Sequence, residues 1–179
     1  TAAMISSAGI SRGSLKYLAD TGRLDQVSRG VYTLPEVWED EFVSIQERYK
    51  RGVFALDTAL FLHDLTDRTP HKFHMAFPYG YNTSSPKAAG ILCSCKKEPY
   101  YSLGIALVDT PAGNTVRVYN AEKTLCEILK PISHTDIQII TDAFKRYAGR
   151  KDKNIPLLSE YAHQLRVEKR LRPYLEVLL

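Results

Sequence analysis

Residues 9–34 read GISRGSLKYLADTGRLDQVSRGVYTL, and this stretch decides the fold of the N-terminal part of the chain. Ser11 is placed to cap a helix over 12–21, and Gly22 is placed to end that helix in the left-handed backbone conformation. Three apolar residues at i, i+3 and i+4 form one stripe on the helix: Leu15, Leu18 and Ala19. We therefore predict a short amphipathic helix with a buried leucine face.

A hairpin is predicted directly after this helix. Residues 24–27 and 31–34 are rich in β-formers, and the turn Ser28-Arg29-Gly30 separates them. Upstream, residues 2–8 predict a first short helix capped by Thr1. Helix, tight turn, helix and hairpin is the order of a winged helix-turn-helix. Such a module normally has one more helix in front, so we expect roughly fifteen to twenty further residues before Thr1 in the natural protein.

Beyond residue 42 the pattern alternates between helical and strand-like segments. Helices are predicted at 42–50, at 56–63, from an Asn120 cap to before Pro131, at 136–147, at 157–165 and at 168–179, the last interrupted by Pro173. Strands are predicted at 72–77, 91–94, 103–108 and 115–119. We therefore predict an α+β protein. It comprises a winged helix-turn-helix over 1–34, a linker over 35–42, and over 43–179 a larger mixed α/β domain with a central sheet and C-terminal helices.

Composition places the chain among folded, water-soluble proteins of a reducing compartment. Of its 179 residues 44% are hydrophobic and 25% are charged. The three cysteines, Cys93, Cys95 and Cys126, are too few and too irregular for a disulfide framework. The sequence has no apolar run long enough to span a bilayer and no signal-peptide pattern at its start. We therefore expect a cytoplasmic protein without membrane association.

Basic residues of the first 34 positions suit contact with duplex DNA. Arg12 and Lys16 stand one helical turn apart, and Ser14 lies in the first turn, where recognition helices meet base edges. Arg23 follows the helix, and Arg29 is at the hairpin tip. The alternative is that these are ordinary solvated surface residues. We favour DNA contact because the wing accompanies the two helices.

A second basic cluster lies at and after the predicted helix over 136–147. It consists of Lys145, Arg146, Arg150, Lys151 and Lys153. Cations at a helix C-terminus offset the helix dipole, which is a sufficient explanation for any one of them. For the group, we predict a second DNA-facing patch.

Catalytic motifs are missing from the sequence. It has no G-x-S-x-G elbow, no glycine-rich phosphate loop, no H-E-x-x-H, and no acidic residue two positions before a lysine. Cys93-x-Cys95 and His71-x-x-His74 offer metal-ligand types, but a paired C-x-x-C knuckle is absent. We therefore expect no catalytic residues, no metal and no cofactor.

The blocks Gly9-Ile10-Ser11-Arg12, Gly22-Arg23-Leu24 and Val27-Ser28-Arg29-Gly30-Val31-Tyr32 resemble the winged-helix region of AbiE-type antitoxins, the AbiEi family. The resemblance continues in TALFLHDLTDRTP at 58–70 and in 116–119 followed by AEKTL at 121–125. Asp64 stands where the family often has Gly, and Lys123 where it often has Arg. We interpret both differences as drift, and we interpret His63, Glu122 and Lys123 as structural.

Membership in the AbiEi family would imply a bacterial type IV antitoxin that is linked to abortive phage resistance. It would be encoded beside a nucleotidyltransferase-like toxin and would counter this toxin without a stable complex, through the larger domain. It would also repress its own operon by binding inverted repeats in double-stranded DNA, with two copies pairing on the operator.

Carried over residue by residue, the resemblance assigns DNA contact to Arg12, Ser14, Lys16, Arg23, Ser28 and Arg29, and we add the neighbouring Ser11 and Tyr17. Two other functions stay open from the residues alone. One is a winged-helix module that binds protein, which Arg12 and Lys16 argue against, and the other is a nucleic-acid-modifying enzyme.

Overall fold

The computed structural model describes residues 2–28, 30–34 and 40–178. The chain separates into two compact units, Thr1–Lys50 with Thr110–Val116, and Arg51–Asp109 with Arg117–Leu179. The predicted linker falls largely outside the described residues, so the predicted domain boundaries stay a prediction.

The first unit contains the predicted order of helix, turn, helix and hairpin. Its elements are α1 (Ala2–Ser7), α2 (Arg12–Asp20), β1 (Asp25–Ser28), β2 (Val31–Thr33) and α3 (Glu41–Arg48). The predicted cap at Thr1 lies outside the described residues. Leu15 is buried and Leu18 is half-buried; the further N-terminal helix stays a prediction.

Both ends of α2 form as the sequence predicts. Ser11 has extended backbone angles, and its Oγ accepts a hydrogen bond from the Ser14 amide at 3.3 Å. At the other end Gly22 has φ +70°, a conformation that costs glycine little. The amides of Gly22 and Arg23 donate to the carbonyls of Ala19 and Leu18 at 3.0 and 2.9 Å, which is the Schellman pattern. The helix therefore has a defined start and a defined stop.

Helix α3 begins at a carboxylate that also binds a segment distant in sequence. One oxygen of Asp40 accepts from the amides of Phe42 and Val43 at 3.0 and 3.4 Å. The other oxygen accepts from the Thr110 hydroxyl and from Asn114 Nδ2, the latter at 3.0 Å. Asp40 thus joins the helix start to the loop over 110–116 of the same unit.

The second unit contains most of a mixed sheet and the C-terminal helices. The strands are β3 (Val53–Phe54), β4 (His74–Pro78), β5 (Leu92–Lys96), β6 (Ile105–Asp109) and β7 (Thr115–Tyr119). The helices are α4 (Leu56–Leu62), α5 (Ser84–Ala88), α6 (Ala121–Ile128), α7 (Ile137–Ala148), α8 (Ile155–Gln164) and α9 (Glu168–Leu178), with a 3₁₀ turn at Pro131–Ser133. The predicted α+β class is thereby confirmed.

In the described part of the chain the strand order of this sheet is β5-β4-β3-β7-β6. Strand β3 pairs antiparallel with β4 and parallel with β7, and β4 pairs parallel with β5. The carboxyl ends of β4 and β5 therefore meet at one edge, where Pro78 is opposite Lys96.

The helices pack into a core centred on α6, all of whose residues are buried. Leu125 and Ile128 of α6 contribute to it together with Phe144 of α7 and Leu158 of α8. Pro173 does not interrupt the last helix as predicted but lies inside α9. Pro173 is on an exposed face, where water can satisfy the carbonyl that proline leaves without a donor.

None of the helices in the described ranges has the length and apolar run needed to cross a membrane.

Candidate nucleic-acid interface

The outer face of α2 is polar and accessible. Leu15 anchors the helix with 2% of its surface exposed, whereas Tyr17 is 66% exposed. Ser14 and Lys16 are exposed on either side of this aromatic ring. The nine-residue helix is about 14 Å long, which matches the width of a major groove. This face can therefore lie against a duplex without moving the leucine anchor.

The hairpin has a bulge before its tip. Asp25 pairs with Thr33 and Gln26 with Tyr32, but Ser28 pairs with Val31, so the register shifts inside β1. A bulge increases local twist and re-aims the residues beyond it. Gly30 has φ +84° in the connecting turn, and its carbonyl accepts from the amide of Ala2 at 2.8 Å. This bond ties the hairpin to the first helix.

The structure describes the side chains of five of the eight predicted DNA-contacting residues. Ser11, Ser14, Lys16, Tyr17 and Arg23 are all exposed. The Ser11 and Ser14 hydroxyls lie 3.2 Å apart and bond each other, so the cap already uses part of their hydrogen-bonding capacity. The side chains of Arg12 and Ser28, and the whole of Arg29, lie outside the described residues.

Residues 1–35 match the family described as "Transcriptional regulator, AbiEi antitoxin". This segment is AbiEi-like. We call residues 1–35 the AbiEi segment. The resemblance seen in the sequence is confirmed over this segment, which contains all eight predicted contact residues. The resemblance over 58–70 and 116–125 lies beyond the matched residues and stays a prediction. No curated protein matches the chain.

The second predicted DNA patch lies outside the AbiEi segment, and part of it serves the fold. Arg150 makes a two-pronged ion pair with Asp152 and donates to the carbonyl of His63 at 2.7 Å. This pairing lowers the pKa of Asp152 to about 2. Lys153 donates to the carbonyl of Ala148, the last residue of α7, at 2.7 Å. Both cations thus satisfy carbonyls at helix ends.

The other three cations of this patch have more accessible positions. Arg146 lies 3.4 Å from the exposed Asp67, and Lys145 and Lys151 are exposed. Surface pairs of this kind contribute little to stability. DNA contact by the group stays a prediction, with Lys145 and Lys151 as its best-placed members.

The residues interpreted as structural form a buried polar network. His63 Nε2 lies 2.7 Å from the carbonyl of Tyr119, and burial lowers the pKa of this histidine. Glu122 accepts from the Tyr147 hydroxyl at 2.8 Å, which adds to the burial that raises the pKa of Tyr147. The first contact joins the end of α4 to the end of β7 and the second joins α6 to α7, as expected for a structural set.

Among the residues interpreted as structural, Lys123 is the one whose environment is hardest to predict from the sequence. It has no exposed surface, and its ammonium donates to the carbonyls of Tyr100 and Leu103. Burial lowers the pKa of Lys123 to about 7, and nearby Glu127 partly opposes this shift. Glu127 is itself buried and paired with Lys96 at 2.7 Å. The adjacent sequence does not indicate this burial, because the immediate neighbours of Lys123 are the polar residues Glu122 and Thr124.

Proposed function

We propose that the protein is a DNA-binding transcriptional autorepressor and the antitoxin of a type IV toxin–antitoxin system. It acts by binding and not by catalysis. Its first unit binds inverted repeats in its own promoter, one copy per half-site, in the bacterial cytoplasm. Its larger unit counters a nucleotidyltransferase-like toxin without forming a stable complex, and the pair gives abortive phage resistance.

The observation that carries the DNA-binding proposal is the exposed face of α2 within the AbiEi segment. Lys16 and Tyr17 extend from a helix whose opposite side is held by the buried Leu15. A hairpin follows this helix, and Arg23 is exposed between the two. Side chains of this kind supply the phosphate and sugar contacts that position a winged helix on a duplex.

The geometry also favours two copies on one operator. A single nine-residue helix reads only a few base pairs, which gives limited specificity. Two copies on an inverted repeat double the number of contacts, with half-sites about one helical turn apart. Pairing on DNA does not require a dimer in solution.

The experiment is a titration of fluorescent duplex DNA from the region upstream of the protein's own gene, followed by anisotropy. We expect specific binding with strong salt dependence, and loss of binding in a triple Arg12→Ala, Arg23→Ala, Arg29→Ala variant. Lys72→Ala is the control, because it removes an exposed cation just before β4, in the second unit. Unchanged binding by the triple variant would refute the proposal.

The antitoxin part is tested separately by co-expression with the neighbouring toxin gene. We expect growth to be rescued by the full chain, without co-purification of the two proteins. Rescue by the triple variant is also expected, because the proposal assigns antitoxicity to the larger unit. A toxin that stays lethal in the presence of the wild-type protein would contradict this part.

A further inference from the structure

The carboxyl ends of β4 and β5 present a cluster of tyrosines and cations in the second unit. We call it the tyrosine surface and define it as Arg51, Tyr79, Tyr81, Lys97 and Tyr100. Tyr79 is 70% exposed and Tyr100 is 40% exposed, although both are large aromatic residues. Arg51 and Lys97 are exposed as well. Exposed aromatic rings beside cations are enriched at binding surfaces.

Contacts within this unit connect four members of the surface through Tyr101, which directly follows the fifth member, Tyr100. The Lys97 ammonium lies 4.9 Å from the centre of the Tyr79 ring. The Lys97 carbonyl accepts from the amide of Tyr101, whose hydroxyl donates to the Arg51 carbonyl at 2.6 Å. The Arg51 guanidinium in turn lies 5.9 Å from the centre of the Tyr81 ring. Cation and aromatic ring therefore alternate along the strand ends.

The backbone beneath this surface is held in place from two sides. The amide of Tyr79 donates to the Lys96 carbonyl at 2.8 Å, which joins the two strand ends. The Tyr81 ring stacks on the buried Phe77 ring at 4.6 Å between centroids. The carbonyl of Tyr100 accepts from the buried Lys123. A rigid support of this kind reduces the entropy lost when a ligand binds.

The cations of this surface lie outside the ion pairs of the described residues. Within the described part of the chain, neither Arg51 nor Lys97 forms an ion pair with a carboxylate. Glu98 is the nearest acidic residue in sequence, and its carboxylate accepts from the amide and hydroxyl of Ser102. The two cations of the surface outnumber this one carboxylate. A partner for this surface is therefore expected to bring negative charge together with flat apolar groups.

We propose that the tyrosine surface binds single-stranded nucleic acid, with unpaired bases stacked on Tyr79 and Tyr100 and phosphates held by Lys97 and Arg51. Bases that are paired in a duplex cannot reach a ring face, whereas unpaired bases stack on tyrosine whatever their sequence. The binding is therefore tolerant of sequence. It is independent of the duplex contact assigned to the AbiEi segment.

The test uses the full-length protein and fluorescent oligomers of about twelve nucleotides, one of uridine and one of deoxythymidine. Anisotropy at about 50 mM salt is expected to rise with both. Stronger binding of the uridine oligomer would indicate an additional contact to the 2′-hydroxyl, whereas equal binding of the two oligomers would indicate stacking and charge alone. Either result supports the proposal.

Variants then identify the source of the affinity. Tyr79→Ala and Tyr100→Ala are each expected to weaken binding about tenfold, because each removes a stacking platform. Tyr79→Phe keeps the ring and is expected to bind within about twofold of the wild-type protein. Lys97→Gln is expected to reduce the slope of log affinity against log salt by about 0.7, the value for one phosphate of a single strand.

Two controls separate this proposal from the proposed function. Lys72→Gln removes an exposed cation at the opposite end of β4 from Tyr79, and it should leave single-strand binding unchanged. The Arg12, Arg23 and Arg29 triple variant should also retain it while losing the operator. The proposal fails if neither oligomer binds, if Tyr79→Ala and Tyr100→Ala bind as the wild-type protein does, or if Tyr79→Phe loses as much affinity as Tyr79→Ala.

Discussion

The ammonium nitrogen of Lys123 lies 3.3 Å from the centre of the Tyr119 ring. The same nitrogen donates to the carbonyls of Tyr100 and Leu103 at 2.5 and 2.7 Å, so one side chain of α6 holds the loop between β5 and β6. Tyr119 supports the loop too, because its hydroxyl donates to the carbonyl of Tyr101 at 2.9 Å. The loop conformation therefore depends on the buried side chain of Lys123.

Stability is expected to rise with pH between about 7 and 8.5. Burial lowers the pKa of folded Lys123 to about 7, whereas a lysine of the unfolded chain stays protonated until about pH 10.4. In this window the unfolded state binds more protons than the folded state, so the free energy of unfolding increases with pH. The slope is reduced toward pH 8.5, because burial raises the pKa of Cys126 to about 12, whereas a thiol of the unfolded chain loses its proton near pH 8.5. Urea unfolding at several pH values measures it.

The matched variants for this prediction are Lys123→Met and Lys72→Met. Removal of the buried lysine should flatten the pH dependence, whereas removal of the exposed lysine should leave it unchanged. Burial also lowers the pKa of Lys130, which acts with the same sign, and raises the pKa of Cys126, which acts with the opposite sign; both remain in Lys123→Met. A Lys123→Met variant with the full wild-type slope would show that another group is responsible.

Gly104→Ala is expected to destabilise the second unit by about 2 kcal/mol. Gly104 has φ +67°, and a Cβ there would lie 2.9 Å from Asn120 Oδ1 and 3.1 Å from Lys123 Cβ. Gly90→Ala is the control, because Gly90 has φ +81° but no atom within 4 Å of the added Cβ. Chemical unfolding of both variants separates the steric cost from the backbone cost. Equal losses of stability in the two variants would show that the close approach of atoms at Gly104 has no steric cost.

Arg150→Ala and Lys151→Ala are expected to differ although the two residues are adjacent. The first variant should lose about 1 kcal/mol of stability, because the carbonyl of His63 loses its charged donor. The second should leave stability unchanged, since Lys151 is exposed. If the second DNA patch exists, Lys151→Ala lowers the salt dependence of operator binding. Thermal unfolding and DNA titration together assign each residue to fold or to binding.

Lys16→Gln and Arg23→Gln should each reduce the slope of log affinity against log salt for operator DNA by about 0.9. Each change removes one exposed cation of the AbiEi segment that we assign to a phosphate. Tyr17→Phe should keep any stacking on sugar but lose hydrogen bonding by the hydroxyl. Anisotropy titrations at four salt concentrations measure these effects. A slope that neither substitution changes would exclude phosphate contact at these positions.

Local signals in the sequence predicted much of the fold. The Ser11 and Asn120 caps, the Gly22 stop and the strand over 115–119 all form as expected. Each depends on chemistry within a few residues: a short polar side chain next to free amides, a glycine in the left-handed region, or alternating β-branched residues. The exposed face of α2 follows from helical periodicity in the same way.

Long-range features were not predictable in this manner. Strand β3 has only two residues, Val53 and Phe54, and it forms because β4 and β7 flank it in the sheet. The five-residue helix α5 was missed for a similar reason, as its sequence has no apolar period. The tyrosine surface brings Arg51 together with residues far along the chain, and no local sequence pattern predicts that these residues lie close together.

The double role of Asp40 has a consequence for the order of folding. Its partner Asn114 is 74 positions further along the chain. A nascent chain emerging from the ribosome therefore cannot complete its first unit until Asn114 has been synthesised. Helix α2 and the hairpin can form before this point, but the hydrogen bonds of Asp40 with Thr110 and Asn114 can form only after it. A premature stop before residue 110 would leave this carboxylate without its distant donors.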